Sequence, residues 1–248
     1  MSNTDMQHRS FGPLSKSLPI SLGVSNPSAP EIPFWSVVPN KSHAKHIYTS
    51  VLQRDFNCCQ FCGFESAKYQ EVLAFQGKDW QLDTMATACI FCAQCITMER
   101  VNTMRSGTLI YLPNMHQIEL HRLLRSIYVC RISQGDKAEK SRAALAKLMD
   151  LQIGAVRLFG SDMPSVLAKR FFECRSSSAY TDLQKLLVDI RLCPLDRRIV
   201  SESGLEFNQF PQILAFWRSK AGPKEIVMPQ KMDITAIEDF LEEKPILP

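Results

Sequence analysis

The chain has 248 residues, of which 45% are apolar and 22% charged, with a formal net charge of +4. This composition is ordinary for a globular protein and leaves room for one or two domains. No apolar run approaches the roughly 18 to 20 residues needed to cross a bilayer, and the N-terminus lacks a basic-then-apolar signal pattern. We therefore expect no membrane insertion and a reducing compartment, where nine cysteines favour metal binding over disulfides.

The first third of the chain begins with a segment of low apolar content. Residues 1–32 are rich in Ser, Pro, Asn and Gly, which predicts a flexible N-terminal arm with little structure. The apolar residues from Phe34 to Val38 then indicate a packed strand or turn. Between His43 and Phe56, apolar residues at helical spacing predict a short helix that leads into the first cysteines.

Six cysteines between positions 58 and 95 form the most informative pattern in the chain. They include Cys59-Gln-Phe-Cys62 and, after 26 residues, Cys89-Ile-Phe-Cys92-Ala-Gln-Cys95. Two Cys-x-x-Cys turns can each supply two thiolates to one tetrahedral zinc ion. We predict a structural Zn²⁺ site with four ligands, Cys59, Cys62, Cys89 and Cys92.

Two further thiols compete for places in this site. Cys58 should point away from the metal because its neighbour Cys59 is a ligand. The pair Cys92 and Cys95 also has suitable spacing, but Cys89 and Cys92 lie at the predicted strand-to-helix turn that builds such sites. Cys95 stays open as a substitute ligand or as a thiol beside the site. An iron site or an iron–sulfur cluster is the alternative metal centre.

The segments around the cysteines predict two strands and a helix wrapped on one ion. Tyr69 to Phe75 alternates as a strand, Gly77 to Asp79 forms a turn, and the second cysteine pair opens a helix that runs to about Val101. Gly107 to Pro113 is a further predicted strand, which the proline ends.

The next part of the chain is predicted to be mainly helical. Asn114 with Gln117 three residues later resembles a capping box, and the apolar residues from Ile118 to Cys130 predict a helix with one buried face. Two or three more helices are predicted, at about 137–151, 163–173 and 182–192, the last one with a capping pair of Thr181 and Gln184.

These elements predict an α+β protein, in which an HNH-nuclease-like zinc-knuckle ββα module is followed by a mainly helical region. The last part contains the apolar segment Phe210 to Trp217 and an acidic amphipathic tail from Ile234 to Leu241, which could dock on another protein or pack on its own domain. The predicted parts are a flexible arm (1–32), the zinc-binding module (33–113), the helical region (114–200) and a C-terminal extension (201–248).

The charge distribution bears on nucleic-acid binding. Residues 51–110 carry five basic and six acidic side chains, whereas a zinc module that grips phosphate needs several Lys or Arg near its metal loops. Direct nucleic-acid binding by the cysteine loops is therefore not expected. A nucleic-acid-binding alternative would need basic residues of the helical region on one face, although they also suit the solvated sides of amphipathic helices. Those residues are Arg122, Arg125, Arg131, Lys169 and Arg170.

The cysteine pattern resembles the zinc-knuckled scaffold of HNH nucleases. That resemblance implies a histidine base on the first strand, an Asn shortly before the second cysteine pair and a His just after it. Here the strand Tyr69–Phe75 lacks histidine, the Asn position falls near Thr84, and Ala93 follows the pair. We therefore expect no enzyme, since a residual nuclease would need Glu71 or Asp79 to take over. The five histidines of the chain lie outside this nuclease-like segment, at positions 8, 43, 46, 116 and 121.

At a finer level the chain resembles the IcmJ/DotN family. The resemblance is strong from about Leu52 to Leu124 and thinner to about Arg198. Members of this family are components of type IVB (Dot/Icm) secretion systems. They are zinc-binding proteins related to the HNH scaffold and belong to the coupling complex that recruits effectors. The matching stretches are Leu52-Gln-Arg-Asp55, Cys59-Gln-Phe-Cys-Gly-Phe64, Tyr69-Gln70, Cys89-Ile-Phe-Cys-Ala-Gln-Cys95, Gly107-Thr-Leu-Ile-Tyr-Leu-Pro113 and, more weakly, Ile190-Arg-Leu-Cys-Pro194.

The resemblance implies a non-catalytic adaptor with a structural zinc ion. Such an adaptor binds the C-terminal extension of the coupling ATPase, alongside other coupling-complex subunits, and is cytoplasmic and peripheral to the inner membrane. The vacant nuclease positions and the slightly acidic metal segment agree with an interaction protein. The partner surface is expected to be one or more apolar grooves, with candidate contacts on the strand Gly107 to Leu112 or in the helical region. Nucleic-acid binding and a residual nuclease are the alternatives.

Overall fold

A computed structural model of the protein describes five ranges of the chain, residues 18–29, 31–42, 44–75, 81–224 and 234–243. The described residues form seven β-strands and ten α-helices. The mixture of helices with small sheets confirms the predicted α+β class. The HNH-like character of the cysteine module stays a prediction.

A three-stranded antiparallel sheet carries the cysteine segment. Its strands lie in the order β1 (Trp35–Val37), β2 (Gln70–Phe75) and β3 (Met85–Cys89). The register pairs Gln70 with Cys89, so the start of β2 lies beside the end of β3. Both strands predicted on either side of the first cysteines are confirmed, whereas the predicted turn at 77–79 lies outside the described residues.

Helix α1 (Lys45–Arg54) precedes the first cysteine loop and packs on β2 and β3. Asp55, directly after the helix, is buried and forms an ion pair with Arg54. Its carboxylate also accepts a hydrogen bond of 2.8 Å from the backbone N–H of Thr87 in β3. This contact fixes the position at which the chain leaves α1 and enters the cysteine loop.

The helix that follows β3 is divided, contrary to the prediction of one helix to about Val101. It consists of α2 (Ile90–Ile96) and α3 (Glu99–Met104). The backbone of Gly23 crosses at the break, where its N–H donates to the carbonyl of Cys95 and its carbonyl accepts from the N–H of Met98. These bonds satisfy the polar groups that the interrupted helix leaves open.

Part of the predicted flexible arm is packed. Leu22, Val24 and Ile32 are buried in the core that contains α3 and the helix Pro164–Glu173. The N–H of Leu18 also donates to the carbonyl of Gln60 in the first cysteine loop, at 2.7 Å. The arm assignment is therefore wrong for residues 18–29 and 31–32, because their apolar side chains find a core that composition alone does not reveal. Residues 1–17 lie outside the described residues.

A second, two-stranded sheet corrects the prediction of a helix at 182–192. Helix α8 (Ser177–Leu186) begins at the N-cap Ser176 and ends before the strand β5 (Ile190–Pro194), which pairs antiparallel with β4 (Gly107–Tyr111). The predicted capping pair at Thr181 is therefore inside the helix. The apolar residues near position 190 form a strand because they pair with β4. A local pattern does not reveal this pairing, since β4 lies about 80 positions earlier in the sequence.

Helix α4 (Gln117–Cys130) follows β4 and has the predicted buried face. Its N-cap is His116, two residues after the predicted cap Asn114. The Glu119 carboxylate accepts a hydrogen bond of 2.7 Å from the backbone N–H of His116, which completes a capping box. The predicted Asn114 and Gln117 pair does not form this cap, since Gln117 turns its amide towards β5.

The remaining elements surround α4 and the two sheets. They include α6, which the sequence did not predict. Their bounds are α5 (Asp136–Asp150), α6 (Gln152–Phe159), α7 (Pro164–Glu173), β6 (Ile199–Glu202), β7 (Leu205–Asn208), α9 (Phe210–Trp217) and α10 (Ile234–Glu242).

One hydrophobic core cluster joins the four predicted parts of the chain. It contains Leu18, the buried cysteines, the apolar face of α4, the aromatic residues of α9, and Ile237 and Phe240 of α10. The acidic tail packs on α5, where Glu238 forms an ion pair of 2.9 Å with Lys140. The predicted ranges 1–32, 33–113, 114–200 and 201–248 therefore do not mark separate cores.

Candidate metal centre

The first two candidate ligands lie in a tight loop. The N–H of Cys59 donates to the carbonyl of Phe64, and the N–H of Gly63 donates back to the carbonyl of Cys59, both at 2.9 Å. Gly63 has φ +78°, a left-handed conformation that glycine adopts without a Cβ penalty. The loop therefore closes immediately after Cys62 and holds the side chains of Cys59 and Cys62 on one side.

The second two candidate ligands lie where β3 becomes α2. Cys89 is the last residue of β3 and the N-cap of α2, and its Sγ accepts a hydrogen bond of 3.4 Å from the backbone N–H of Cys92. An N-cap side chain turns back over the first helical turn. Cys92, three residues later, is therefore brought to the same side as Cys89.

The two loops meet because the first one is docked on the sheet. The side-chain amide of Gln70, at the start of β2, donates to the carbonyls of Asn57 and Phe64 at 2.8 and 3.0 Å. The N–H of Gln60 donates to the carbonyl of Thr87 in β3, at 2.8 Å. These bonds place the loop of Cys59 and Cys62 over the end of β3.

The four thiols converge in a buried cluster. Their Sγ atoms all lie within 4.8 Å of one another, and those of Cys62 and Cys89 are 3.7 Å apart. Sulfurs at about 2.3 Å from a tetrahedral ion are about 3.8 Å apart, so the spacing and the thiol donors fit zinc. Within the described residues, this is the one group of three or more His, Cys, Asp or Glu that could hold a metal ion. The assignment of these thiols as ligands stays a prediction.

The two competing thiols occupy other positions. The Sγ of Cys58 faces the carbonyl of Gly63 at 3.2 Å, outside the cluster. Cys95 is buried one turn after Cys92 on α2, and its Sγ lies 3.6 Å from Nε2 of His121. The geometry therefore favours Cys59, Cys62, Cys89 and Cys92 over combinations that include Cys58 or Cys95.

Arg125 of α4 is a polar neighbour of the cluster that the sequence reasoning missed. Its Nη2 donates to the Sγ atoms of Cys62 and Cys89, both at 3.2 Å, and its guanidinium lies 4.0 Å from the ring centroid of Phe64. Only 3% of the residue is exposed. The prediction that Arg125 is one of several basic surface residues is wrong, because the apolar rings and the thiols provide a buried site for its charge.

His121, four residues before Arg125, is the second neighbour from α4. Its Nδ1 lies 3.5 Å from the Sγ of Cys92, and its Nε2 is 2.9 Å from Nε2 of Gln117. Burial, followed by the charge of Arg125, lowers the pKa of His121 to about 3, so the ring is neutral at physiological pH. The sequence does contain a signal for these two neighbours of the cluster, since a His and an Arg stand at helical spacing within the apolar face of α4.

The surroundings of the cluster lower the pKa values of Cys62 and Cys89 and raise those of Cys59 and Cys92. Hydrogen bonds from the Cys59 and Cys89 thiols, together with the Arg125 charge, hold the pKa of Cys62 well below its ordinary value. Burial raises the pKa values of Cys59 and Cys92. A bound metal ion would deprotonate all four thiols. The site can thus hold a cation through four thiolates, a closed coordination that suits a structural ion.

Glu71, a residue considered for a residual nuclease, lies in a different environment. Its carboxylate forms ion pairs with Arg100, at 2.8 Å, and with Arg198. Burial opposes its ionisation, but the two guanidinium groups outweigh burial and lower the pKa of Glu71 to about 2. Glu71 therefore joins β2, α3 and the chain before β6. Asp79, the other nuclease candidate, lies outside the described residues.

The basic residues predicted for nucleic-acid binding have various surroundings. Arg125 is buried beside the thiols, Arg131 is paired with Asp196, and Arg170 donates to a backbone carbonyl of α6. A common basic face is therefore not supported by these residues. In the ranges that the structure describes, no helix combines the length and the apolar character needed to cross a membrane.

The fold and the site define a cysteine-rich α+β protein with a candidate tetrathiolate metal centre. No family model matches the chain. The chain is 41% identical over 97 residues to the type 4 apparatus protein DotN of Legionella pneumophila, strain Philadelphia 1. The match covers 38% of this chain and 44% of DotN, so less than half of the length of that relative is matched. This homology confirms the predicted relationship to the IcmJ/DotN family over the matched segment.

Proposed function

We propose that this chain is a non-catalytic, zinc-stabilised adaptor subunit of a type IVB (Dot/Icm) secretion apparatus. In this proposal it binds the C-terminal extension of the coupling ATPase, together with other coupling-complex subunits, at the cytoplasmic side of the inner membrane. The homology to the type 4 apparatus protein DotN is the observation that carries the proposal.

The four-thiol cluster supports a structural role for the ion. Four thiolates complete a tetrahedral zinc shell, and a substrate would have to displace one of them to reach the metal. The cluster is also part of the main core, with Phe61, Phe91 and Trp217 among its buried members. A zinc ion in this position would contribute roughly 10 kcal/mol or more to folding of the surrounding module.

The edges of the sheet of β4 and β5 bear on how a partner could dock. On β4, the N–H groups of Leu109 and Tyr111 donate to the carbonyls of Asp162 and Leu151, at 2.8 and 3.1 Å. On β5, the amide side chain of Gln117 bonds both the N–H and the carbonyl of Leu192. Strand addition at Gly107 to Leu112 would have to displace the bonds of Leu109 and Tyr111, so the predicted contact at this strand is disfavoured.

A groove beside this sheet suits the proposed adaptor role better. Its volume is about 360 Å³, and residues 20–22, 116–118, 187–188 and 190–191 line it together with Gln184. Apolar side chains such as Leu187 alternate there with polar ones such as Arg191. Val188 lies at the groove and is 69% exposed. A groove that offers both apolar and polar side chains can take an amphipathic peptide segment. We assign the groove to the ATPase extension as part of the proposal.

Affinity purification of the tagged full chain from its native host, with mass spectrometry of the retained proteins, tests the function. Recovery of the coupling ATPase with other secretion subunits is the expected result. Recovery of nucleic acid or its processing proteins without the ATPase would contradict the adaptor role.

The groove has a separate test in the same purification. Val188→Glu should reduce recovery of the ATPase, while Leu205→Glu, at a residue 73% exposed on β7, should leave recovery unchanged. Equal recovery with both variants would reject the groove and leave the adaptor role standing.

A further inference from the structure

We propose that Arg125 is the buried counter-cation of the metal centre and that it slows the release of the ion. The inference rests on the metal site assigned above. It extends the site beyond the cysteine segment, because Arg125 belongs to α4 and lies 33 positions after Cys92, the last of the four cysteines.

The need for a counter-charge follows from the donor set. Four thiolates around a divalent ion carry a net charge of about −2, and burial of an uncompensated charge is strongly unfavourable. All four cysteines are buried, and the cluster lies among aromatic and aliphatic side chains. A guanidinium in contact with the sulfurs offsets part of this charge and donates hydrogen bonds to them.

The geometry of Arg125 matches this task. Its Nη2 reaches one sulfur from each cysteine pair, Cys62 of the first loop and Cys89 at the end of β3, at 3.2 Å in both cases. Its guanidinium also stacks over the rings of Phe64 and Phe91, with centroid distances of 4.0 and 5.6 Å. The planar group is thus fixed at one edge of the cluster, where it connects both loops to α4.

His121 gives α4 a second contact with the cluster. It lies four residues before Arg125, hence on the same face of the helix, and its Nδ1 is 3.5 Å from the Sγ of Cys92. One helix therefore contacts three of the four candidate ligands. Arg125 acts on the ion through the sulfurs, so it is a positioning residue rather than a ligand.

The test compares zinc release from full-length, zinc-loaded variants to a chromogenic chelator. Arg125→Met should release zinc about tenfold faster than the wild type or more, which is the usual effect of losing a group that supports metal ligands. Arg125→Lys keeps the charge but not the planar, stacking group, and its rate should lie between the two. Arg122→Met is the matched control, because Arg122 is exposed on the same helix, and its rate should stay within about twofold of wild type.

A cobalt-substituted protein supplies a readout that a purely structural role would not change. Hydrogen bonds to a thiolate lower the energy of its sulfur electrons. The sulfur-to-cobalt charge-transfer band should therefore move to longer wavelength in Arg125→Met and remain in place in Arg122→Met.

The outcomes separate this inference from the metal assignment itself. A wild-type chain purified without zinc would overturn the metal site and, with it, the role of Arg125. A zinc-loaded, folded Arg125→Met variant with the wild-type release rate and an unshifted cobalt band would overturn the role of Arg125 alone. If Arg125→Met does not fold, Arg125→Lys decides, since a wild-type rate in that variant contradicts the proposal.

Discussion

Gln70 and Cys89 face each other across β2 and β3, and Gln70 also holds the first cysteine loop through two carbonyls. One side chain thus joins the strand that ends in the second cysteine pair to the loop that carries the first. Gln70→Ala should lower the free energy of unfolding by about 1–3 kcal/mol, because it removes one buried and one partly buried hydrogen bond. Denaturant titration of the zinc-loaded protein measures this loss.

The control for this change is Gln53→Ala, at an exposed position of α1. Its effect should stay within about 0.5 kcal/mol of the wild-type value. Equal stability of Gln70→Ala and Gln53→Ala would mean that the two hydrogen bonds do not support the cysteine loop.

The double variant Cys59→Ser with Cys62→Ser should lose the zinc ion. Because the first loop then lacks its metal, we expect lower solubility and weaker partner binding together. Zinc content by elemental mass spectrometry and recovery of the coupling ATPase measure the two effects. Cys58→Ser is the control and should keep one zinc per chain. A well-folded double variant that still binds the partner would argue against a structural zinc ion.

Cys95→Ala tests the alternative ligand directly. Cys95 is buried near His121 but outside the four-thiol cluster, so the variant should retain one zinc per chain. The small cavity it leaves should cost about 1 kcal/mol of stability. Loss of zinc from Cys95→Ala would show that Cys95 replaces one of the four assigned ligands.

The ion pairs of Glu71 should make stability depend on pH. The pKa of Glu71 falls from 4.5 in an ordinary environment to about 2 in the fold, so the carboxylate stabilises the folded state above about pH 4.5. This contribution, roughly 3 kcal/mol, is lost as pH falls towards 2. The wild type should therefore exceed Glu71→Gln in stability at neutral pH, and the difference should shrink between pH 4.5 and 2. A difference that stays constant over this range would contradict the ion-pair account.

The sequence was sufficient where the pattern is local. Two Cys-x-x-Cys turns constrain their own loops, and the structure brings those four thiols together. The strands at Trp35–Val37 and Gln70–Phe75 and the buried face of α4 also follow from nearby apolar residues. In each case, the periodicity of a short segment determines which side chains share a face.

The remaining features depend on residues that are distant in sequence. The apolar residues around Ile190 fit a helix as well as a strand, and pairing with β4 decides for the strand. Gly23 divides α2 from α3, although nothing in the helix itself marks the break. An arginine such as Arg125 is expected at the surface from the sequence alone. Its buried position follows from contact with the thiols of another segment. Such contacts override local propensity, which is a weak prior.

The zinc-stabilised adaptor role can be checked in one experiment, native mass spectrometry of the complex purified from the native host. We expect a species in which one copy of this chain carries one zinc ion and is bound to the coupling ATPase. A zinc-loaded chain that never associates with the ATPase, or a chain that binds the ATPase without any metal, would contradict the zinc-stabilised adaptor.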